Sequence, residues 1–256
     1  MRLSQWWRRR RDARALQRRA VPDDLWWQTL QRYPFLVRDA ADDAELRRLV
    51  SLFLDRKEFS GAHGLLVTDA MAVAIAAQAC LPMLRLGLSL YDQFVGIVVH
   101  RDEVVVAREW VDSDGIVHEY DEVLSGEAME RGPMMLSWRD VDAAGESAQW
   151  AYNVVIHEFM HIIDMADGVT DGIPPLTDRD EQERWAVTIE MEYARFCHRV
   201  DDEEDTVLDP YGVEGPEEFF AVAAEAFFVS PRPMRAEHPR LYTLFANYFL
   251  QDPATQ

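Results

Sequence analysis

The chain has 256 residues, of which 48% are hydrophobic and 11% aromatic, enough to bury the core of a globular protein. Its formal net charge of −20 would repel nucleic-acid phosphates and anionic lipid headgroups, so neither nucleic acid nor a membrane is an expected partner. Only two cysteines occur, far apart and without a Cys-x-x-Cys spacing, which is typical of a cytoplasmic protein.

Positive charge is concentrated at the amino terminus. Residues 1–20 contain eight arginines and one acidic residue, Asp12, so this segment carries a formal charge of about +7 and residues 21–256 carry about −27. No apolar run of signal-peptide length follows the arginines. We therefore expect a basic N-terminal arm, a helix that docks Trp6 and Trp7 on the rest of the protein, with contact to a membrane surface as the alternative. Residues 21–256 are predicted to form a single domain.

The first third of the chain, to about residue 85, is predicted to be helical. Paired aspartates at 23–24 and 42–43 precede apolar residues at helical spacing and can cap two helices. Small apolar residues between Thr68 and Leu81 are typical of a tightly packed buried helix, which Pro82 would end or kink.

The remaining part, residues 86–256, is predicted to begin with strands and to end with helices. Phe94–His100 and Glu103–Trp110 are rich in valine and are separated by two residues, which indicates a hairpin. Ile116–Tyr120, after a turn, and Met134–Trp138 would complete a small antiparallel sheet. Helical spacing follows within 149–166, 180–199, 216–229 and 239–250. The expected fold is α+β, mainly helical with a small antiparallel sheet.

A His-Glu-x-x-His motif lies inside the apolar segment 154–164. His157 and His161 are four residues apart, so a helix places both imidazoles on one side, where they can bind one tetrahedral zinc ion. Glu158 would flank the water that the metal activates and act as general base for attack on a peptide carbonyl. Because polar groups buried in an apolar helix must be satisfied by a metal or by one another, the surroundings favour a metal site.

A catalytic zinc site needs a third protein ligand. Asp164 and Asp167 occupy the positions at which the metzincin pattern has glycine and histidine, so that arrangement is excluded. A later helix offers Glu217, Glu218 and Glu225 as candidates. Glu218 and Glu225 share one face among phenylalanines, whereas Glu217 is expected to face solvent. The spacing leaves the choice of third ligand open.

Several segments between residues 70 and 230 resemble the Mlc titration factor A family of zinc-dependent peptidases, which is related to gluzincins and to the catalytic domain of anthrax lethal factor. The matching segments are Ala76–Leu81, Leu136–Trp138, His157–Asp164, Asp171–Leu176 and Asp209–Phe228. The resemblance implies a zincin-like metallopeptidase fold with one zinc ion per chain, and it implies His157, His161 and Glu218 as the zinc ligands. It also implies Glu158 as the base and Tyr211 as a phenol that faces the substrate.

Several other side chains keep alternative roles. Tyr211 could donate a hydrogen bond to the oxyanion of the reaction, or it could be a packed turn residue. Asp164 and Glu225 could each accept a hydrogen bond from a zinc-binding histidine, or belong to ordinary ion pairs. The other histidines are expected to be ordinary surface residues: His63, His100, His118, His198 and His238.

The motif predicts a zinc peptidase, and the resemblance implies aminopeptidase-like cleavage. An extended peptide substrate would add to an edge strand of the sheet, for which Met134–Trp138 is the candidate, and the acidic body would attract basic peptides. The resemblance also implies binding of the Mlc transcriptional repressor, a regulator of the glucose phosphotransferase system. The alternative is a non-catalytic regulatory binding protein with a structural zinc site, which would not require Glu158.

Overall fold

The computed structural model describes residues 2–111, 117–128 and 132–255. Its helices are α1 (Arg2–Arg18), α2 (Asp23–Arg32), α3 (Ala40–Arg56), α4 (Asp69–Cys80), α5 (Trp138–Ser147), α6 (Val154–Asp164), α7 (Arg179–Asp201), α8 (Pro216–Val229), α9 (Pro231–Glu237) and α10 (Pro239–Phe249). Its strands are β1 (Glu58–Gly61), β2 (Gly96–His100), β3 (Val104–Val111), β4 (Val117–Leu124), β5 (Gly126–Ala128) and β6 (Met134–Ser137). Over these ranges the protein is mainly helical, and none of the helices combines the length and apolar content that crossing a bilayer requires.

Helices α2, α3 and α4 form the predicted helical first third, but the residues that cap α2 and α3 differ from the prediction. Asp39 accepts hydrogen bonds from the backbone N–H groups of Ala41 and Asp42 at 2.9 and 3.0 Å, so Asp39 caps α3 in place of the predicted pair of aspartates. Thr68 caps α4 in the same way. At α2 the aspartates 23–24 lie in the first turn, where their negative charges interact favourably with the positive end of the helix dipole.

The basic arm forms helix α1 and packs on α3. Ala15 is buried in the core, and Arg18 forms an ion pair with Asp55 at 2.9 Å. Trp7, one of the two tryptophans expected to dock the arm, is 63% exposed. The side chain of Trp6 lies outside the described part of the structure. The contacts that hold the arm therefore include a small apolar side chain and an ion pair.

Four strands form a sheet in the order β1-β2-β6-β5. β1 pairs in parallel with β2, with Glu58 opposite Gly96, and β2 pairs in parallel with β6, with Ile97 opposite Met134. Only β5 joins antiparallel, beside β6. The predicted antiparallel sheet is therefore wrong. Helix α4 connects β1 to β2 and supplies the crossover that a parallel pair needs.

Strand β6 is an interior strand of this sheet. It lies between β2 and β5, so the prediction of Met134–Trp138 as an edge strand is wrong. Trp138 does not belong to the strand, because Ser137 caps the helix α5 that begins at Trp138.

Strands β3 and β4 form a separate antiparallel ladder, from Val104 opposite Leu124 to Val111 opposite Val117. The predicted hairpin between Phe94–His100 and the next strand is wrong, because β2 pairs with β1 and β6 instead. The turn predicted between β3 and β4 falls on residues 112–116, which lie outside the described ranges.

Helices α6 and α8 pack against each other inside the hydrophobic core, and β5 packs on α6. Aromatic side chains fill the space around α8. Trp185 of α7 stacks on Phe245 of α10 with ring centroids 5.5 Å apart, and Phe220 of α8 meets the same ring edge-on. Helix α6, which carries the His-Glu-x-x-His motif, and helix α8, which carries the candidate glutamates, are therefore held by dense packing.

Candidate metal centre and active site

Helix α6 carries both histidines of the motif and is fixed at its start by Asn153. Ile156 N–H donates to Asn153 Oδ1 at 2.9 Å, and Asn153 Nδ2 donates to Gln78 Oε1 of α4 at 2.8 Å. One helical turn separates His157 from His161, so their rings lie on the same side with centroids 4.9 Å apart. Their Nε2 atoms are 3.2 Å apart.

Glu218, in the first turn of α8, completes a cluster with the two histidines. Its Oε2 lies 3.0 Å from His157 Nε2 and 3.4 Å from His161 Nε2. The ligand atoms of the three residues all lie within 4.8 Å of one another. Of the other two candidate ligands, Glu217 lies outside this cluster, and Glu225 contacts His157 through the opposite nitrogen of the ring.

The donor atoms of this cluster fit a zinc ion. His157 Nδ1 donates to Glu225 Oε1 at 2.8 Å, so in the neutral ring Nε2 carries the lone pair that faces the cluster. Two imidazole nitrogens and a carboxylate oxygen thus converge on one point, where a cation offsets the repulsion among their lone pairs. Two histidines and a glutamate are a ligand set that catalytic zinc sites use.

The surroundings keep the carboxylate of Glu218 ionised. Burial acts to raise the pKa of Glu218, but hydrogen bonds from His157 and His161 lower it to about 2. Burial acts to lower the pKa of His157, whereas hydrogen bonds to Glu218 and Glu225 raise it well above its ordinary value. A proton and a metal ion therefore compete for His157 Nε2. Metal affinity is expected to decrease as the pH is lowered.

Glu225 and Asp164, the two carboxylates that could orient a histidine, have different partners. Glu225 is 1% exposed and accepts hydrogen bonds from His157 Nδ1 and from the backbone N–H of Asn153. Asp164 instead accepts from the backbone N–H of Gly172 at 3.1 Å and from its neighbours, which fixes the loop after α6. Glu225 is thus the carboxylate that orients a candidate ligand.

Glu158 lies beside a cavity of about 350 Å³ next to the cluster. The cavity is lined by Ser125, Gly126, Tyr152, Val154, His157, Glu158, Asp209, Tyr211, Val222 and Glu225. The side chain of Glu158 is buried, and burial raises its pKa. A substrate group in this cavity would contact His157 and Glu158 together.

Tyr211 lines the same cavity from a 3₁₀ turn, Pro210–Val213. Asp209 caps this turn by accepting from Tyr211 N–H at 2.9 Å. The ring centroid of Tyr211 is 6.0 Å from that of His157, and the side chain is 49% exposed. This exposure does not suit the packed-turn alternative.

The prediction that His238 is a surface residue is wrong. Its side chain is fully buried, and its Nδ1 lies 2.9 Å from Glu192 Oε2, which links α7 to the α9–α10 junction. Of the other histidines, His63 and His198 are exposed, His100 is half-buried, and the side chain of His118 lies outside the described residues.

Three cavity residues escaped the sequence analysis: Ser125, Gly126 and Tyr152. Ser125 directly precedes the three-residue strand β5, and Gly126 is its first residue; this strand is too short to give an alternating pattern. Tyr152 directly precedes Asn153, the cap of α6. An asparagine before an apolar helical segment predicts a helix start, and this signal could have identified Tyr152 as its neighbour.

Comparison with known proteins gives the family. The model of the glucose-regulated metallo-peptidase M90 family matches residues 4–250. The uncharacterized protein slr2042 of Synechocystis is 35% identical over 232 residues, which cover 89% of this chain and 84% of that protein. Proteins named Mlc titration factor A, from Yersinia pestis and Yersinia pseudotuberculosis, are 31% identical over 237 residues with the same coverage. The chain thus belongs to the glucose-regulated metallo-peptidase M90 family.

Proposed function

We propose that this protein is a zinc-dependent peptidase in which His157, His161 and Glu218 bind one zinc ion. The observation that carries the proposal is the convergence of their three ligand atoms within 4.8 Å, beside a cavity, in a chain of a metallo-peptidase family. When bound, zinc would supply a Lewis acid that lowers the pKa of a coordinated water and polarises a substrate carbonyl.

Glu158 is the proposed general base. Its carboxylate lies in the cavity wall, and burial raises its pKa, which makes it a stronger base for accepting a proton from water and returning it to the leaving amine. Tyr211 is the proposed oxyanion donor. Its phenol lines the same cavity and can donate a hydrogen bond to the carbonyl oxygen as that oxygen gains negative charge.

The peptide substrate is proposed to bind along β5. Among the described strands, β5 pairs with β6 alone, and it packs on α6, the helix of the motif. The open side of such an edge strand has backbone N–H and C=O groups that can pair with an extended peptide. Because Gly126 of β5 lines the cavity, a peptide bound there would pass His157 and Glu158.

Aminopeptidase-like cleavage is proposed from the charge of the cavity. The wall contains the half-buried carboxylate of Asp209 in addition to Glu158, and these groups favour a protonated α-amine over a blocked one. We expect amino-acid 4-nitroanilides with a free amine to show kcat/KM values at least about 10-fold above those of their acetylated forms, a difference of about 1.4 kcal/mol. Equal hydrolysis of the two forms would contradict this specificity.

A second candidate function is binding of a transcriptional repressor. Relatives that are 31% identical are named Mlc titration factor A, and the net charge of −20 would attract a repressor with a basic DNA-binding face. We expect purified Mlc repressor to associate with the protein and the association to weaken as salt is raised, because salt screens surface charges. Absence of association, or affinity independent of salt, would contradict this function.

Metal removal and reconstitution test the peptidase proposal. The purified protein should contain one zinc ion per chain, lose peptide hydrolysis on treatment with a chelator and regain it when zinc is added back. His157→Ala should neither retain zinc nor recover activity. Full hydrolysis by the metal-free protein would overturn the proposal, and stable zinc without hydrolysis of any peptide would support the structural-zinc alternative.

A further inference from the structure

Gly126 lies directly against the side chain of Glu158. A Cβ atom added at position 126 would lie 2.5 Å from both Cγ and Oε1 of Glu158 and 2.7 Å from Cδ. Non-bonded carbon atoms ordinarily approach one another to about 3.5 Å. With Glu158 in its present position, only glycine therefore fits at this point of β5.

We propose that Gly126 is a positioning residue for Glu158, a proposal that rests on the proposed role of Glu158 as general base. Because residue 126 has no side chain, the backbone of β5 packs against the carboxylate and holds it at the cavity wall. The backbone of Gly126 is itself held opposite Leu136 in the β5–β6 ladder. The position of the base is thus set by a strand of the sheet as well as by its own helix.

An alanine at position 126 should displace Glu158 without unfolding the protein. The three atoms nearest to the added methyl group all belong to the flexible side chain of Glu158, and the adjacent cavity of about 350 Å³ offers room for that side chain to move. Restoring ordinary contact requires a displacement of about 1 Å. Misplacement of a catalytic group by this distance can lower a rate by about 10²-fold.

Kinetics of Gly126→Ala and of a matched control provide the first part of the test. Gly96→Ala adds a methyl group to β2 of the same sheet, where the nearest contact is Pro133 Cβ at 3.3 Å. Gly126→Ala should lower kcat by about 10- to 100-fold while KM, zinc content and Tm stay near their wild-type values. Gly96→Ala should keep wild-type kcat. Wild-type kcat in Gly126→Ala would overturn the proposal.

A double-mutant cycle with Glu158→Ala separates positioning of the base from a direct effect on the bound peptide. Once the base has been removed, Gly126→Ala should cause no further fall in the residual rate. A fall of the same size in both backgrounds would overturn the proposal, because Gly126 would then act on the substrate or on the strand.

Crystal structures of the wild type and Gly126→Ala test the contact without any assay of activity. We expect the Glu158 carboxylate to move by about 1 Å toward the cavity while β5 keeps its register. An unmoved Glu158 beside a displaced β5 would overturn the proposal. If the wild type hydrolyses no peptide, the proposed peptidase function fails, and these structures still decide whether Gly126 positions Glu158.

Discussion

Glu225 is predicted to control metal affinity without binding the metal. One oxygen of its carboxylate accepts from His157 Nδ1 at 2.8 Å and the other accepts from the backbone N–H of Asn153. Glu225→Ala removes both acceptors. The ring of His157 can then rotate, or carry its proton on Nε2, the atom that must be free to bind metal.

The magnitude follows from these two hydrogen bonds. Loss of a carboxylate that orients a histidine ligand weakens metal binding by about 10- to 100-fold, or about 1.4–2.7 kcal/mol. The N–H of Asn153, a fully buried residue, would also lose its acceptor, which lowers the free energy of unfolding by about 1–3 kcal/mol. Glu225→Gln keeps one acceptor for His157, so its zinc affinity should lie between those of the wild type and Glu225→Ala.

Competition with a chromophoric zinc chelator at neutral pH measures the affinity, and urea unfolding of the metal-free protein measures the stability. Asp164→Asn is the matched control, because Asp164, like Glu225, is a buried carboxylate, but it lies on α6 and accepts from backbone N–H groups of the loop 171–173. Its zinc affinity should stay within about twofold of the wild type. Wild-type zinc affinity in Glu225→Ala would refute the reasoning.

Three further predictions concern other groups. Glu218→Ala should lose zinc, while Glu217→Ala, at the neighbouring position outside the cluster, should keep it; the reverse result in metal analysis would mean that the ligand assignment is off by one residue. Tyr211→Phe should keep zinc but lower kcat by about 10- to 1000-fold with little change in KM, and unchanged turnover would remove the phenol from the reaction. A hydrogen bond from His238 lowers the pKa of Glu192 below its ordinary value of 4.5. The ionised carboxylate therefore stabilises the folded state at pH values above 4.5, and this stabilisation is lost as the pH falls through the lowered pKa. Urea unfolding should therefore show that Glu192→Gln is less stable than the wild type near neutral pH and that the difference shrinks in acid; a constant difference would contradict this linkage.

The candidate site could be predicted from the sequence because its parts are local. On a helix, the four-residue spacing of His157 and His161 places both side chains on the same side, and the two histidines do lie side by side on α6. Helical periodicity also limited the candidates for the third ligand to a few glutamates of one later helix. The family resemblance implied Glu218 as the third ligand. In the structure, where α6 packs on α8, Glu218 lies at Nε2 of His157 and Glu225 lies at Nδ1 of the same ring.

The sheet could not be predicted because its pairings join distant segments. β1 is four residues long and gives no alternating signal, yet it pairs with β2 across helix α4. The valines of β2 indicated a strand correctly, but a local pattern carries no information about which strands become its neighbours. His238 shows the same limit, since this buried side chain pairs with Glu192, which lies 46 residues earlier.

Hydrolysis by Glu158→Gln tests the central claim most directly. The substitution keeps the shape of the side chain but removes its capacity to accept a proton, and Glu158 is outside the cluster of proposed metal ligands. With zinc content and Tm equal to those of the wild type, peptide hydrolysis should fall by about 10²-fold or more. An unchanged rate in Glu158→Gln, with contaminating proteases excluded, would contradict the assignment of Glu158 as the base of a zinc peptidase.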